Sequence, residues 1–156
     1  MSISAEKDNK AIMRQFWDVW EQGNIDLLDD LLAPEYVNHT LATPDLPSGP
    51  EGVKEVVRMF HSGVPDLRVV IEDMIAEGDR VATRYALEST HGGDLFGVAP
   101  TGRHLTIKSM TVERLSGGKI VEHWRVIDEL DMMRQLGAIG GLENNPTSTE
   151  EAHELL

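Results

Sequence analysis

The sequence predicts an α+β domain in which three N-terminal helices pack on a curved, mostly antiparallel β-sheet and a short C-terminal helix closes the chain. Three observations predict it. Apolar residues recur at helical spacing as far as about His61, and beyond that point the period changes to two. The later segments carry apolar residues on both sides. Both sheet faces therefore need cover, from helices on one side and from a second subunit on the other, most simply in a homodimer.

The first helix is predicted from Asp8 to Glu21, with Ile12, Phe16, Val19 and Trp20 along one side and Gly23-Asn24 as its stop. A second runs from Ile25 to Leu32 on Leu27, Leu28, Leu31 and Leu32. It ends at Ala33-Pro34, because the residue before a proline avoids the helical region. Glu35 to Thr40 reads as a short strand. Ala42 to Pro50 holds three of the seven prolines and reads as loop. The third helix opens at Pro50 and runs to about His61 on Val53, Val56, Val57 and Phe60.

Leu67, Val69, Ile71 and Ile75 then form one strand, and Val81, Thr83, Tyr85 and Leu87 the next, joined by the tight turn Glu77-Gly78-Asp79-Arg80. Gly92 to Gly102 is a long loop. In the third strand Leu105 and Ile107 share a face that Met110 and Val112 leave, which predicts a bulge near Ser109. Ser116-Gly117-Gly118 turns into the last strand, Lys119 to Asp128. Leu130, Met133 and Leu136 mark the closing helix. The domain spans residues 1–140, and the polar segment 141–156 reads as a mobile tail.

Composition narrows the function. The chain has 156 residues and a formal net charge of −13, with Lys and Arg scattered, so a nucleic-acid partner is not expected. Cysteine is absent, which excludes disulfides and thiolate chemistry. No apolar run suits a membrane span or a signal segment, so no membrane partner and a cytoplasmic setting are expected. The six histidines show no close metal-site spacing, and no phosphate loop or nucleophile elbow is present.

The polar residues that could do chemistry fall in four places: Asn38-His39, Ser89-Thr90-His91, His104, and His123 to Asp128. Period two puts Trp124, Val126 and Asp128 on one face of the last strand, and His123, Arg125 and Ile127 on the other. A carboxylate beside an indole and an aliphatic chain loses hydration, which favours its protonated form and suits a general base. Asp128 is equally a good N-cap for the closing helix. His39 lies among apolar neighbours, and His91 lies in a Gly-flanked loop. Each reads either as an acid-base partner or as an ordinary structural histidine. His123 and Arg125 are expected on the convex face, paired with carboxylates or at a subunit contact.

Several stretches together carry a family resemblance: Tyr36-Val37-Asn38-His39, Gly49-Pro50-Glu51-Gly52-Val53-Lys54, Pro65-Asp66-Leu67, Thr90-His91-Gly92-Gly93, Phe96 to Arg103, Gly118 to Trp124 with Asp128, and Gln135-Leu136-Gly137. Over roughly Lys7 to Ala138 the chain resembles the SnoaL-like polyketide cyclases (ester cyclases) of the NTF2-like superfamily. The resemblance implies the NTF2-like, cystatin-like cone and a homodimer or larger homo-oligomer. It implies intramolecular aldol cyclisation of a small hydrophobic or aromatic molecule by acid-base catalysis, with no metal and no cofactor. Carried over, Asp128 is the candidate base and His39 and His91 the candidate donors to the developing oxyanion. Trp124, Tyr36, Asn38, Phe60 and Val126 are the candidate pocket residues. The chain departs from the pattern at Arg125, where an acidic residue is expected after the tryptophan. Two other functions fit the same cone. One is an epoxide hydrolase with Arg84 or Arg125 between Asp128 and Asp73. The other is a non-catalytic module that binds a small hydrophobic ligand.

Overall fold

The computed structural model describes residues 3–139; the tail predicted from residue 141 lies outside the described residues. The chain runs α1 (Ile3–Gln22), a 3-10 turn (Ile25–Leu27), α2 (Leu28–Leu31), β1 (Leu32–Asn38), α3 (Pro50–Gly63), β2 (Arg68–Glu77), β3 (Arg80–Thr90), β4 (His104–Ser116), β5 (Lys119–Ile127) and α4 (Glu129–Leu136). The predicted α+β architecture is the observed one. The second helix is shorter than expected: its first turn is 3-10, and Leu32 to Pro34 belong to a strand. Pro34 is tolerated there because β1 is an edge strand, where a missing N–H costs no ladder bond.

The five strands form one sheet in the order β1-β5-β4-β3-β2, with β1 parallel to β5 and the other pairs antiparallel. The expected bulge near Ser109 does not occur. β3 and β4 pair without interruption from Arg80↔Arg114 to Thr90↔His104. Register shifts lie instead between Leu32 and Val37 in β1, between Ile71 and Asp73 in β2 and between Arg114 and Leu115 in β4. Met110 and Val112 leave the face of Leu105 and Ile107 because the intervening inward positions hold Ser109, Thr111 and Glu113, all buried. The inner face is polar in its middle, and the apolar residues there point outward.

Helix α1 lies against β2 and β3 and delivers Phe16, Trp17 and Trp20 to the interior. Trp17 sits 4.2 Å, centroid to centroid, from Tyr85, and Trp20 makes an edge contact at 5.6 Å with Phe60. Burial of each such side chain stabilises the fold by about 1.5–3 kcal/mol. Phe60 belongs to this aromatic cluster, packed between Trp20 and Phe96. Among the described residues no helix is long and apolar enough to cross a membrane.

Candidate active site

Register places three cross-strand rows on the inner face of the sheet. The first joins Asn38, His123, Glu113 and Val81; the second Arg125, Thr111 and Thr83; the third Ile127, Ser109 and Tyr85. Residues directly opposite on one face stand close enough to interact. Here they place a histidine, a carboxylate, a guanidinium and several hydroxyls beneath the α1 tryptophans.

The innermost pair is Glu113 with His123. Glu113 is fully buried, and one carboxylate oxygen lies 2.8 Å from His123 Nδ1 while the other accepts from the Thr111 hydroxyl at 3.1 Å. Burial pushes the Glu113 carboxyl up, and the two hydrogen bonds and the nearby imidazole oppose that rise. A carboxylate at Nδ1 fixes the tautomer with its proton on Nδ1. The Nε2 lone pair is then free, and no side chain or backbone group among the described residues bonds to it. His123 lines a small cavity of about 30 Å³ with Trp20, Tyr36, Asn38, Val53 and Arg125.

Above it, Tyr36, Asn38 and Val53 also line a larger cavity of about 180 Å³, closed by Leu41, Leu46 and Pro47 on one side and the first turn of α3 on the other. A Cβ on Gly52 would stand 2.2 Å from the Pro47 carbonyl oxygen, so the loop rests directly on the helix backbone. Asn38 Oδ1 accepts the Thr40 backbone N–H at 2.9 Å. That bond orients the amide and leaves its NH2 group for the cavity. Burial raises the Tyr36 hydroxyl well above its usual value, with Glu113 adding to the rise and Arg125 opposing it. Tyr85 is pushed up to about 12, again by burial first. Both phenols are therefore neutral donors at physiological pH.

The sequence-predicted residues divide between the two faces. Tyr36 and Asn38 line both cavities. Asp128 does not. It is exposed and caps α4, accepting the Asp131 N–H at 3.0 Å. Val126, 77% exposed, and Trp124 share its outward side. His39 stacks on Trp124 with ring centroids 4.7 Å apart and reaches Glu122 at 3.2 Å, also outside the cone. His91 is buried at the end of β3, where its Nδ1 takes the Thr101 N–H at 3.3 Å, and it lines neither cavity. Phe60 is core. The inner and outer sides of β5 are thus the reverse of the expectation, and His123 and Arg125 face inward. The arginine-between-carboxylates arrangement is not assembled either. Arg84 pairs with Glu72 and Asp73 on the exposed side of β2 and β3, and Arg125 is separated from Asp128 by the sheet.

Asp128→Ala is accordingly expected to cost about 1 kcal/mol of stability as a lost N-cap. Thermal melts beside turnover measurements check this; a lost turnover would return Asp128 to the chemistry.

Comparison with known proteins agrees with the fold. The SnoaL-like polyketide cyclase family model matches residues 10–136. The aklanonic acid methyl ester cyclase AcmA of Streptomyces galilaeus is 32% identical over 132 residues, which cover 81% of this chain and 89% of that protein. The nogalonic acid methyl ester cyclase of Streptomyces nogalater is 28% identical over 116 residues, 74% of this chain and 87% of that one. Among solved structures, TsrD from Streptomyces laurentii superposes with a TM-score of 0.78 at 27% identity, covering 89% of this chain and 99% of that one.

Proposed function

The chain belongs to the SnoaL-like polyketide cyclase family, and from that membership we propose that it catalyses an intramolecular aldol-type ring closure on a small aromatic or hydrophobic substrate. One observation carries the reading: a buried carboxylate holds His123 by Nδ1 and leaves its other nitrogen at a cavity.

In this reading His123 Nε2 removes a proton from a carbon made acidic by adjacent carbonyl groups. The positive charge gained by the imidazole sits 2.8 Å from the Glu113 carboxylate, so a buried net negative pair becomes a neutral one. The electron pair left by the C–H bond becomes an enolate. Its oxygen is met by the Asn38 amide and the Tyr36 hydroxyl, donors fixed in place before reaction. The enolate carbon then attacks a ketone carbonyl of the same molecule and closes the ring. His123 returns its proton to the new alkoxide. Atoms and charge balance with no electron donor or acceptor. The lining of Val37, Leu41, Leu46, Pro47 and Val53 suits an apolar ring system.

The two methyl ester cyclases among the relatives set the first substrates to try. Incubation with aklanonic or nogalonic acid methyl ester should give a product of unchanged mass and altered retention, and in deuterated water the substrate should exchange its acidic C–H. Neither exchange nor cyclised product from such aromatic polyketide esters would overturn the reading.

The convex side of the sheet supports a second copy of this chain as its cover. Met110 and Val126 are register partners there, 52% and 77% exposed, with Leu130 exposed beyond the end of β5. A patch of this kind on one protomer fits the same patch on another across a two-fold axis. Val126→Glu should convert a dimer to monomer by light scattering; a wild-type monomer would remove the proposal.

A further inference from the structure

Arg125 is the least explained group in the interior. It lies on the inner face in the row of Thr111 and Thr83 and lines the deep cavity with His123 and Trp20. Arg125 is half-buried; among the described residues its guanidinium has no ion pair and no hydrogen bond, and Nε alone of its nitrogens is buried without a partner. Charges held inside a protein are ordinarily paired, because an unpaired one forfeits hydration with nothing in return. Glu113, the nearest buried carboxylate in the neighbouring row, is committed to His123 and Thr111.

Other donors around it are equally unused. The indole N–H groups of Trp20 and Trp17 and the hydroxyl of Thr83 are buried without partners. Trp20 lines the same cavity. Thr83 sits in the same cross-strand row as Arg125. Trp17 packs against Tyr85 with the rings tilted by 40°, and the Tyr85 phenol feels the Arg125 charge. Buried polar groups almost always find partners. An unused indole N–H and an unpaired cation on one cavity describe the complement of an anionic oxygen group.

We propose that the substrate carries a carboxylate besides the carbonyl groups that react, and enters with it foremost, so that Arg125 binds it in the deep cavity while the apolar body fills the mouth. This rests on the reading of the cavity as the substrate site. The volumes agree. About 30 Å³ at the bottom admits a pair of oxygens and little more, and about 180 Å³ above it admits a ring. It also gives Arg125, which stands where the family resemblance leads one to expect an acid, a use of its own: it selects the charge of the ligand rather than moving a proton.

The test uses 2-naphthoate and its neutral methyl ester, neither of which carries the acidic C–H that His123 would act on. Titration is followed by calorimetry and by quenching of tryptophan fluorescence. Wild-type protein should bind 2-naphthoate roughly 10-fold or more tighter than the ester, the scale of a charge-assisted hydrogen bond. Arg125→Met should abolish that preference by weakening the carboxylate alone, and Arg125→Lys should restore part of it. A thermal melt of each variant establishes that it is folded, and the wild-type comparison stands by itself if one is not. Equal affinity of wild type for the two probes, no binding of 2-naphthoate, or a preference that survives in Arg125→Met overturns the proposal. His123→Asn, measured with the same probes, should keep the preference. A failed catalytic reading thus appears as lost turnover with intact carboxylate binding, and a failed anion site as lost preference with intact turnover.

Discussion

His123→Asn is expected to lower kcat by roughly 10²- to 10⁴-fold, the usual contribution of a positioned general base. The asparagine amide can still donate to Glu113 from near the place of Nδ1, so the buried carboxylate keeps its partner and the fold its stability. What disappears is the lone pair at the cavity. Rates on an aromatic polyketide ester, with a melt as control, check this. The double variant with Glu113→Gln should be little slower than His123→Asn alone, since the two residues act as a unit. Undiminished turnover in His123→Asn would end the assignment of the base.

Glu113→Gln is expected to have opposite effects on rate and stability. Turnover should fall, because the neutral amide no longer stabilises an imidazolium. Stability should rise at neutral and alkaline pH. Burial raises the folded-state pKa of Glu113 above its unfolded value near 4.5. A group raised in this way favours folding below the unfolded pKa, and that contribution is lost as pH climbs through the folded one. Between those limits the wild type loses up to about 1.4 kcal/mol per pH unit from this group. Glutamine does not titrate, and it can accept from His123 Nδ1–H while donating to the Thr111 hydroxyl, so the same two hydrogen bonds are available. The difference in unfolding free energy between variant and wild type should therefore grow with pH, from near zero at pH 4 to its full value once Glu113 is ionised in the fold. Urea melts across that range read it directly. A constant difference, or a less stable variant at pH 8, would mean that burial does not dominate at Glu113.

The sequence showed the architecture more clearly than the chemistry. Helical spacing in α1 and α3, Pro50 at a helix start, the Glu77 to Arg80 turn and the period-two strands all have local causes, and local pattern reveals them. The inner face is hidden from the sequence pattern because apolar residues ordinarily mark the inside. In β4 and β5 the rule inverts: Ser109, Thr111, Glu113, His123 and Arg125 face inward, while Met110, Trp124 and Val126 face outward. Continuous alternation from Leu105 to Leu115 would have placed Glu113 inside without any bulge, and Glu113 then selects His123 as its partner across the ladder. Asp128 carried two readings, and the structure supports the cap. Tyr36 and Asn38 alternate inward along β1 and line the cavities, a placement that period two makes legible.

Gly52 has a bearing on how the doorway can adapt. With only a hydrogen allowed between α3 and the Pro47 carbonyl, helix and loop meet at zero clearance, like a lid ground to its seat. A slide of α3 by one position would drive a side chain into main chain that cannot step aside. The aperture is therefore dimensioned by backbone and trimmed by the reach of Leu41 and Leu46. Widening it for a bulkier guest calls for shorter side chains at those two positions, and a methyl group at position 52 would unseat the whole rim.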